Sequence, residues 1–198
     1  MAAVIVVLVV LVVLVAATWL VFNGLIKRRT RAEEAWSQID VELRRRHDLI
    51  PNLVSTVQGY AAHEQGTFDM VTRARSEAIA AGASEDPDQI GHAEDALTGA
   101  LRSLFAVAEN YPQLRAVESF VELQETLTST EDKIEYARRY YNTSARDYNI
   151  RLRTFPRNVV AALFRFSPRA FFSAAEDDRS TPTVTFPGSR NQQTNPAA

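Results

Sequence analysis

The chain has 198 residues, a net charge of −2, three histidines and no cysteine. The missing cysteine excludes disulfides, thiolate metal sites, a cysteine nucleophile and an acylated-cysteine anchor, but it leaves the redox compartment open. Charge is unevenly placed. Lys27, Arg28, Arg29 and Arg31 carry +4 without an acid among them, and five arginines between 150 and 172 carry +5. Taking these nine away leaves −11 elsewhere.

The first predicted element is a transmembrane helix from about Ala2 to Ile26. No side chain from Met1 to Ile26 is charged, and 17 of them are Val, Leu, Ile or Phe. That run exceeds the roughly 20 residues needed to cross a hydrocarbon core. At about −0.3 to −0.6 kcal/mol per such residue, insertion is favourable by up to roughly 5 to 10 kcal/mol. A cleaved signal peptide would need a basic start, a shorter apolar stretch and a small-residue cleavage site, and these do not occur in that order.

Past the anchor, Trp36, Ile39, Leu43, Ile50, Leu53, Val57 and Tyr60 recur at helical spacing. Pro51 interrupts the run, which predicts a kink or short break from His47 to Pro51. Gly66 marks a turn before a second stripe, Phe68 to Ala78, and Ser84 to Asp88 reads as a loop. A third stripe runs from Ile90 to Ala108 and ends before Pro112, which suits the first position of a fourth helix. That helix is predicted to be long and to reach Leu152, since no Gly or Pro lies between Gln113 and Phe155. Residues 173–198 have the composition of a disordered tail.

The expected fold is therefore all-α: a transmembrane helix (1–26) continuing into an antiparallel four-helix bundle of long helices (27–172), with an amphipathic segment at 153–172. Parity has a consequence. If the first helix leaves the bilayer, the fourth returns to it.

Three stretches carry a family resemblance: AWSQIDVELRRRHDLIPNLVSTVQGYAAHE (Ala35 to Glu64), ENYPQLRA (Glu109 to Ala116) and ARRYYNTSARDYN (Ala137 to Asn149), followed by Phe155-Pro156. They resemble the LemA family, and the likeness extends from Phe22-Asn23 to the TPTVTF tail ending at Phe186. The resemblance implies a membrane-attached helical bundle facing cytoplasm or envelope, and it speaks to fold more than to a reaction. Phe22-Asn23 stands where many members carry Tyr-Asn. Some relatives are attached through a lipidated cysteine at that border, a route closed to this chain.

Signatures of catalysis are weak. His63-Glu64 opens like the zinc-binding HExxH, but Thr67 replaces the second histidine. Neither GxGxxG nor GxxxxGK[ST] occurs among the seven glycines, and no serine sits in a nucleophile elbow. Neither a catalytic residue, a metal ligand nor a cofactor is assigned.

Two residue sets are singled out instead. Arg46, Asp48, Asn52, Glu109, Tyr111, Arg138, Tyr141, Asn142 and Asn149 lie in the shared motifs. They read first as a hydrogen-bonded polar layer fixing register in the bundle, with a ligand or partner site as the alternative. Lys27, Arg28, Arg29, Arg31, Arg153, Arg157, Arg165 and Arg169 are the candidate membrane-surface contacts. The segment Arg153 to Phe172 mixes arginine with Phe155, Leu163, Phe164, Phe166, Phe171 and Phe172, as interfacial segments do. A hydrophobic flap capping the bundle is the competing reading.

The expected partners are the lipid bilayer and a protein partner, or a second copy, bound through the helical faces. Nucleic acid is not expected, because basic residues beside a membrane suit anionic headgroups. The positive-inside rule places the N-terminus outside and the bulk of the chain in the cytoplasm. The functional expectation is a non-enzymatic membrane-anchored scaffold. The alternatives are a membrane-shaping oligomer and an enzyme with a site between helices.

Overall fold

The computed structural model describes residues 1–84 and 86–172, so the tail expected over 173–198 lies outside the described residues. Six helices are present among them, without a strand: α1 (Ala2–Gln58), α2 (Gln65–Gly82), α3 (Pro87–Glu109), α4 (Pro112–Arg115), α5 (Glu118–Arg153) and α6 (Arg157–Leu163).

At 1.5 Å per residue, α1 extends roughly 85 Å. Its first third is long and apolar enough to cross a membrane. Val4 to Val15 are each more than half exposed, an apolar surface far too large to face water. Thr18 hides its hydroxyl by donating to the Leu14 carbonyl at 2.8 Å, which suits a helix in hydrocarbon.

Beyond Leu20 one stripe of α1 is buried in three apolar layers. Leu25 packs with Val160 and Ala161 of α6. Ala35, Ile39 and Leu43 pack with Ile90 of α3, Ile134 to Ala145 of α5, and Phe172. Ile50, Leu53 and Val57 join α2 and α3 in the distal core. The helices are unequal: α1 and α5 run side by side, and the shorter α2–α3 hairpin covers the distal half. Ion pairs joining Arg28 to Asp147 and Arg46 to Glu131 show that α1 and α5 are antiparallel.

Three expectations need correction. No break occurs at Pro51, because α1 stays helical to Gln58. Proline lacks the N–H that would have bonded to the His47 carbonyl four residues earlier. Arg75 of α2 supplies the missing donor, its Nε lying 2.7 Å from that oxygen.

The long fourth helix is also interrupted. Pro112 opens only α4, and Val117 is extended (φ −79°, ψ 119°) before α5 begins at Glu118. Neither Ala116 nor Val117 is a helix breaker. The interruption lets Leu114 (0% exposed) and Phe120 (3%) both enter the distal core, which a straight helix leading away from α3 would not. The loop expected over Ser84 to Asp88 is shorter than predicted: Asp86 caps α3 by accepting from the Asp88 N–H at 3.0 Å, with Pro87 in the first turn.

Candidate functional site

Two assemblies of polar residues stand out, one inside the bundle and one where α1 leaves its apolar stretch. The inner assembly separates the distal core from the middle layer. Arg46 (3% exposed) places Nη2 2.6 Å from the Thr98 hydroxyl and Nη1 3.4 Å from Glu94 and 3.3 Å from Glu131. His47 Nε2 lies 2.7 Å from the other oxygen of Glu94. A guanidinium taken out of water persists only when carboxylates and hydrogen bonds replace the lost hydration. Glu94 and Glu131 do so here.

Only part of the predicted polar layer assembles. Arg46 belongs to it, whereas Asp48, Asn52 and Glu109 are exposed at the surface. Tyr111 is half-buried and packs against the distal core. Glu94, Thr98, His47 and Glu131 complete the layer and were missed. Glu94 had a signal: it falls between Ile90 and Leu97 on the apolar stripe of α3, where a carboxylate needs a buried cation.

Tyr141, Asn142 and Asn149 do something else: they hold an extended strap, residues 165–172, along α5. The Asn149 side chain donates to the Arg169 carbonyl at 2.8 Å and accepts its N–H at 2.9 Å. Asn142 treats Phe172 the same way, at 3.0 and 2.9 Å. Each amide thus imitates the paired bonds of a neighbouring strand. Tyr141 donates to the Ala170 carbonyl at 2.7 Å, and burial pushes its phenol above the ordinary range. Arg138 stacks over the Phe172 ring at 4.6 Å, and Trp36 packs on both Tyr141 and Phe172.

The strap begins at a Schellman turn. Phe166 N–H bonds to Ala161 O at 2.9 Å and Arg165 N–H to Ala162 O at 3.3 Å, with Arg165 in the left-handed region (φ 55°). Before it, α6 lies across α1 at Val21 to Leu25, and Phe22 contacts Phe164 and Phe166 with ring centroids 4.8 and 5.6 Å apart. Phe22, the residue at the family's Tyr position, thus becomes an apolar seat for this segment. Other apolar side chains remain uncovered: Phe155 (77% exposed), Leu163 (72%) and Val159 (58%).

The candidate membrane contacts are split by the fold. Lys27, Arg28, Arg157 and Arg151, the last a residue the candidate set lacked, line one cleft beside Gly24. Arg28 pairs with Asp147, which also lies 3.5 Å from Arg151 Nε. Arg29 bonds Glu33 at 2.9 Å, and Arg169 reaches the same carboxylate from the strap. The hydrogen bond from Arg29, helped by the Arg169 charge and opposed by partial burial, holds the Glu33 carboxyl below its ordinary range. Arg169 is therefore spent on holding the strap. Arg31, Arg153 and Arg165 are exposed. Among the described residues no group of three or more His, Asp or Glu side chains is gathered as metal ligands would be.

Comparison with known proteins bears on both assemblies. The chain is 28% identical to magnetosome protein MamQ 2 of Paramagnetospirillum magneticum over 194 aligned residues, covering 86% of this chain and 71% of that protein. It is 26% identical to MamQ of Magnetospirillum gryphiswaldense, covering 83% and 68%. Protein LemA of Metamycoplasma hominis is 27% identical, covering 79% of this chain and 71% of its own length. The LemA family model matches residues 35–186, from the middle apolar layer of α1 through the strap and beyond. The chain belongs to the LemA family.

Proposed function

We propose that this chain is a non-enzymatic, membrane-anchored scaffold that holds a helical domain against a bilayer and meets the lipid at two points. One is α1 itself. The other is the end of the bundle formed by α6 and the residues around it. The observation that carries this reading is the docking of α6 on Val21 to Leu25, at the border between uncharged and basic α1, with Phe155, Val159 and Leu163 left exposed beside it. An apolar cluster at that level of a spanning helix lies in the headgroup region.

By the positive-inside rule, Lys27, Arg28, Arg29 and Arg31 put the domain in the cytoplasm and the N-terminus outside. A reporter fused after Ala198 and active only outside the cytoplasm would contradict that orientation. Alkaline extraction tests the anchor: the full chain is expected to stay with the membranes, and its release would overturn the spanning role of residues 2–26.

A second reading, a laterally packed membrane-shaping assembly, is favoured by one surface. On the face of α1 and α5 away from the α2–α3 hairpin, an open groove is lined by Val41, Glu42, Lys133 and Tyr136, and Val41 (60%) and Tyr136 (64%) are exposed. Two of the relatives are named as magnetosome proteins, and the reading carries that association to this chain. Oligomer mass in membranes, with and without Tyr136→Glu, separates the two readings.

A further inference from the structure

We infer that the cleft between α1, α5 and α6 is a binding site for the headgroup of a single anionic glycerophospholipid. The inference rests on the membrane reading above and deepens it from a charged surface to a built site. The cleft encloses about 330 Å³ and brings together Lys27, Arg28, Arg151 and Arg157. Among the described residues Asp147 is the one carboxylate paired into this set, bonding Arg28 and approaching Arg151. Neither Lys27 nor Arg157 takes part in an ion pair among the described residues, and the buried Nε of Arg151 has no hydrogen-bond partner. Four cations around one carboxylate leave an excess of +3, and because the Arg28 and Arg151 side chains are only 30% and 31% exposed, an anionic counter-ion would relieve their repulsion.

Geometry selects a lipid. At 100° per residue, Val13, Ala17, Leu20, Gly24 and Lys27 fall on one stripe of α1. The stripe is apolar until it reaches Gly24 and basic after it. A phosphate seated among the arginines would have its acyl chains directed up the uncharged helix, where from Val13 to Lys27 the rise is roughly 21 Å, about one leaflet with its headgroup. Gly24 forms part of the cleft wall, and a Cβ placed there meets nothing within 4 Å. The glycine keeps this space open without being required by backbone conformation.

That emptiness supplies the test. The full-length chain, purified in detergent, is incubated with phosphatidylglycerol or phosphatidylcholine, and retained lipid is counted by native mass spectrometry. One retained phosphatidylglycerol per chain is expected, in preference to phosphatidylcholine and undiminished by millimolar inorganic phosphate. Gly24→Leu fills the cleft and favours the helix, so it should abolish the preference with helicity intact. Arg151→Gln with Arg157→Gln should weaken retention about 30-fold, two basic residues at about 1 kcal/mol each. Arg102→Gln with Arg115→Gln, exposed and away from the cleft and α6, should leave this retention unchanged. Equal retention of the two lipids, wild-type retention by Gly24→Leu or by the Arg151/Arg157 variant, or displacement by free phosphate would overturn the site. Flotation of the same proteins with neutral vesicles is read in parallel: failure of the wild type to float would instead overturn the membrane reading.

Discussion

The inner polar layer and the border cleft use the same chemistry to opposite ends. Around Arg46, which is 3% exposed, the charge is answered from within the chain: Glu94 and Glu131 lie against it, Thr98 accepts a further bond, His47 bonds Glu94 in turn, and among the described residues only Nε is without a partner. Around Arg151 the balance fails by several positive charges, and the nearby apolar side chains stay uncovered. The first pattern is that of a group fixing how helices meet. The second is that of a surface completed by something outside the chain. A polar motif used for packing and charge offered to a bilayer thus look alike in sequence and differ in structure by whether the charges are balanced within the chain.

The contrast can be broken most sharply at Arg46. Arg46→Ala strands Glu94 and is expected to destabilise the fold by about 3 to 5 kcal/mol, read from denaturant unfolding. Replacing Arg46 and Glu94 together by Met should recover most of that loss, because a matched apolar pair needs no counter-charge. A double variant as weak as the single would give the layer a role beyond packing. Asn149→Ala removes both bonds to Arg169 and is expected to free the strap at a local cost of about 1 to 3 kcal/mol, seen as faster amide exchange at residues 166–172.

A smaller change of opposite sign is expected at Arg165. Glycine there relieves the left-handed backbone and should stabilise the strap turn by about 0.5 to 1 kcal/mol. The smallest effect is acid dependence through Glu33. Its folded pKa is depressed below the ordinary glutamate value near 4.3, so its contribution is complete at neutral pH and lost as pH falls through the depressed folded value. The strap should loosen in that window, and Glu33→Gln should abolish the pH dependence of amide exchange while loosening the strap at all pH values.

Much of this was legible beforehand. The long apolar start of α1 follows from length and missing charge, and of the segment 153–172 that helix parity was expected to return to the border of α1, α6 packs there while the end of the strap lies farther along α5. What escaped has identifiable causes. The break at Val117 has no breaker residue, since it is made by Leu114 and Phe120 competing for one core. The strap escaped because its bonds come from asparagines on α5, seven residues apart and so two turns along one face; spacing alone does not distinguish them from an inter-helix pair. Of the kink or short break that Pro51 signalled, the break does not occur, and a distant arginine, Arg75, answers the His47 carbonyl.

The absence of native cysteine makes the central claim directly measurable, because one introduced thiol is a unique label. Leu163→Cys, beside α6, and Met70→Cys, on α2 of the distal half, can each carry a fluorophore in the full chain reconstituted with lipids bearing a quencher in the acyl region. Strong quenching at 163 with little at 70 is the result expected if the bundle end rests in the interface. Equally weak quenching at both positions would contradict it.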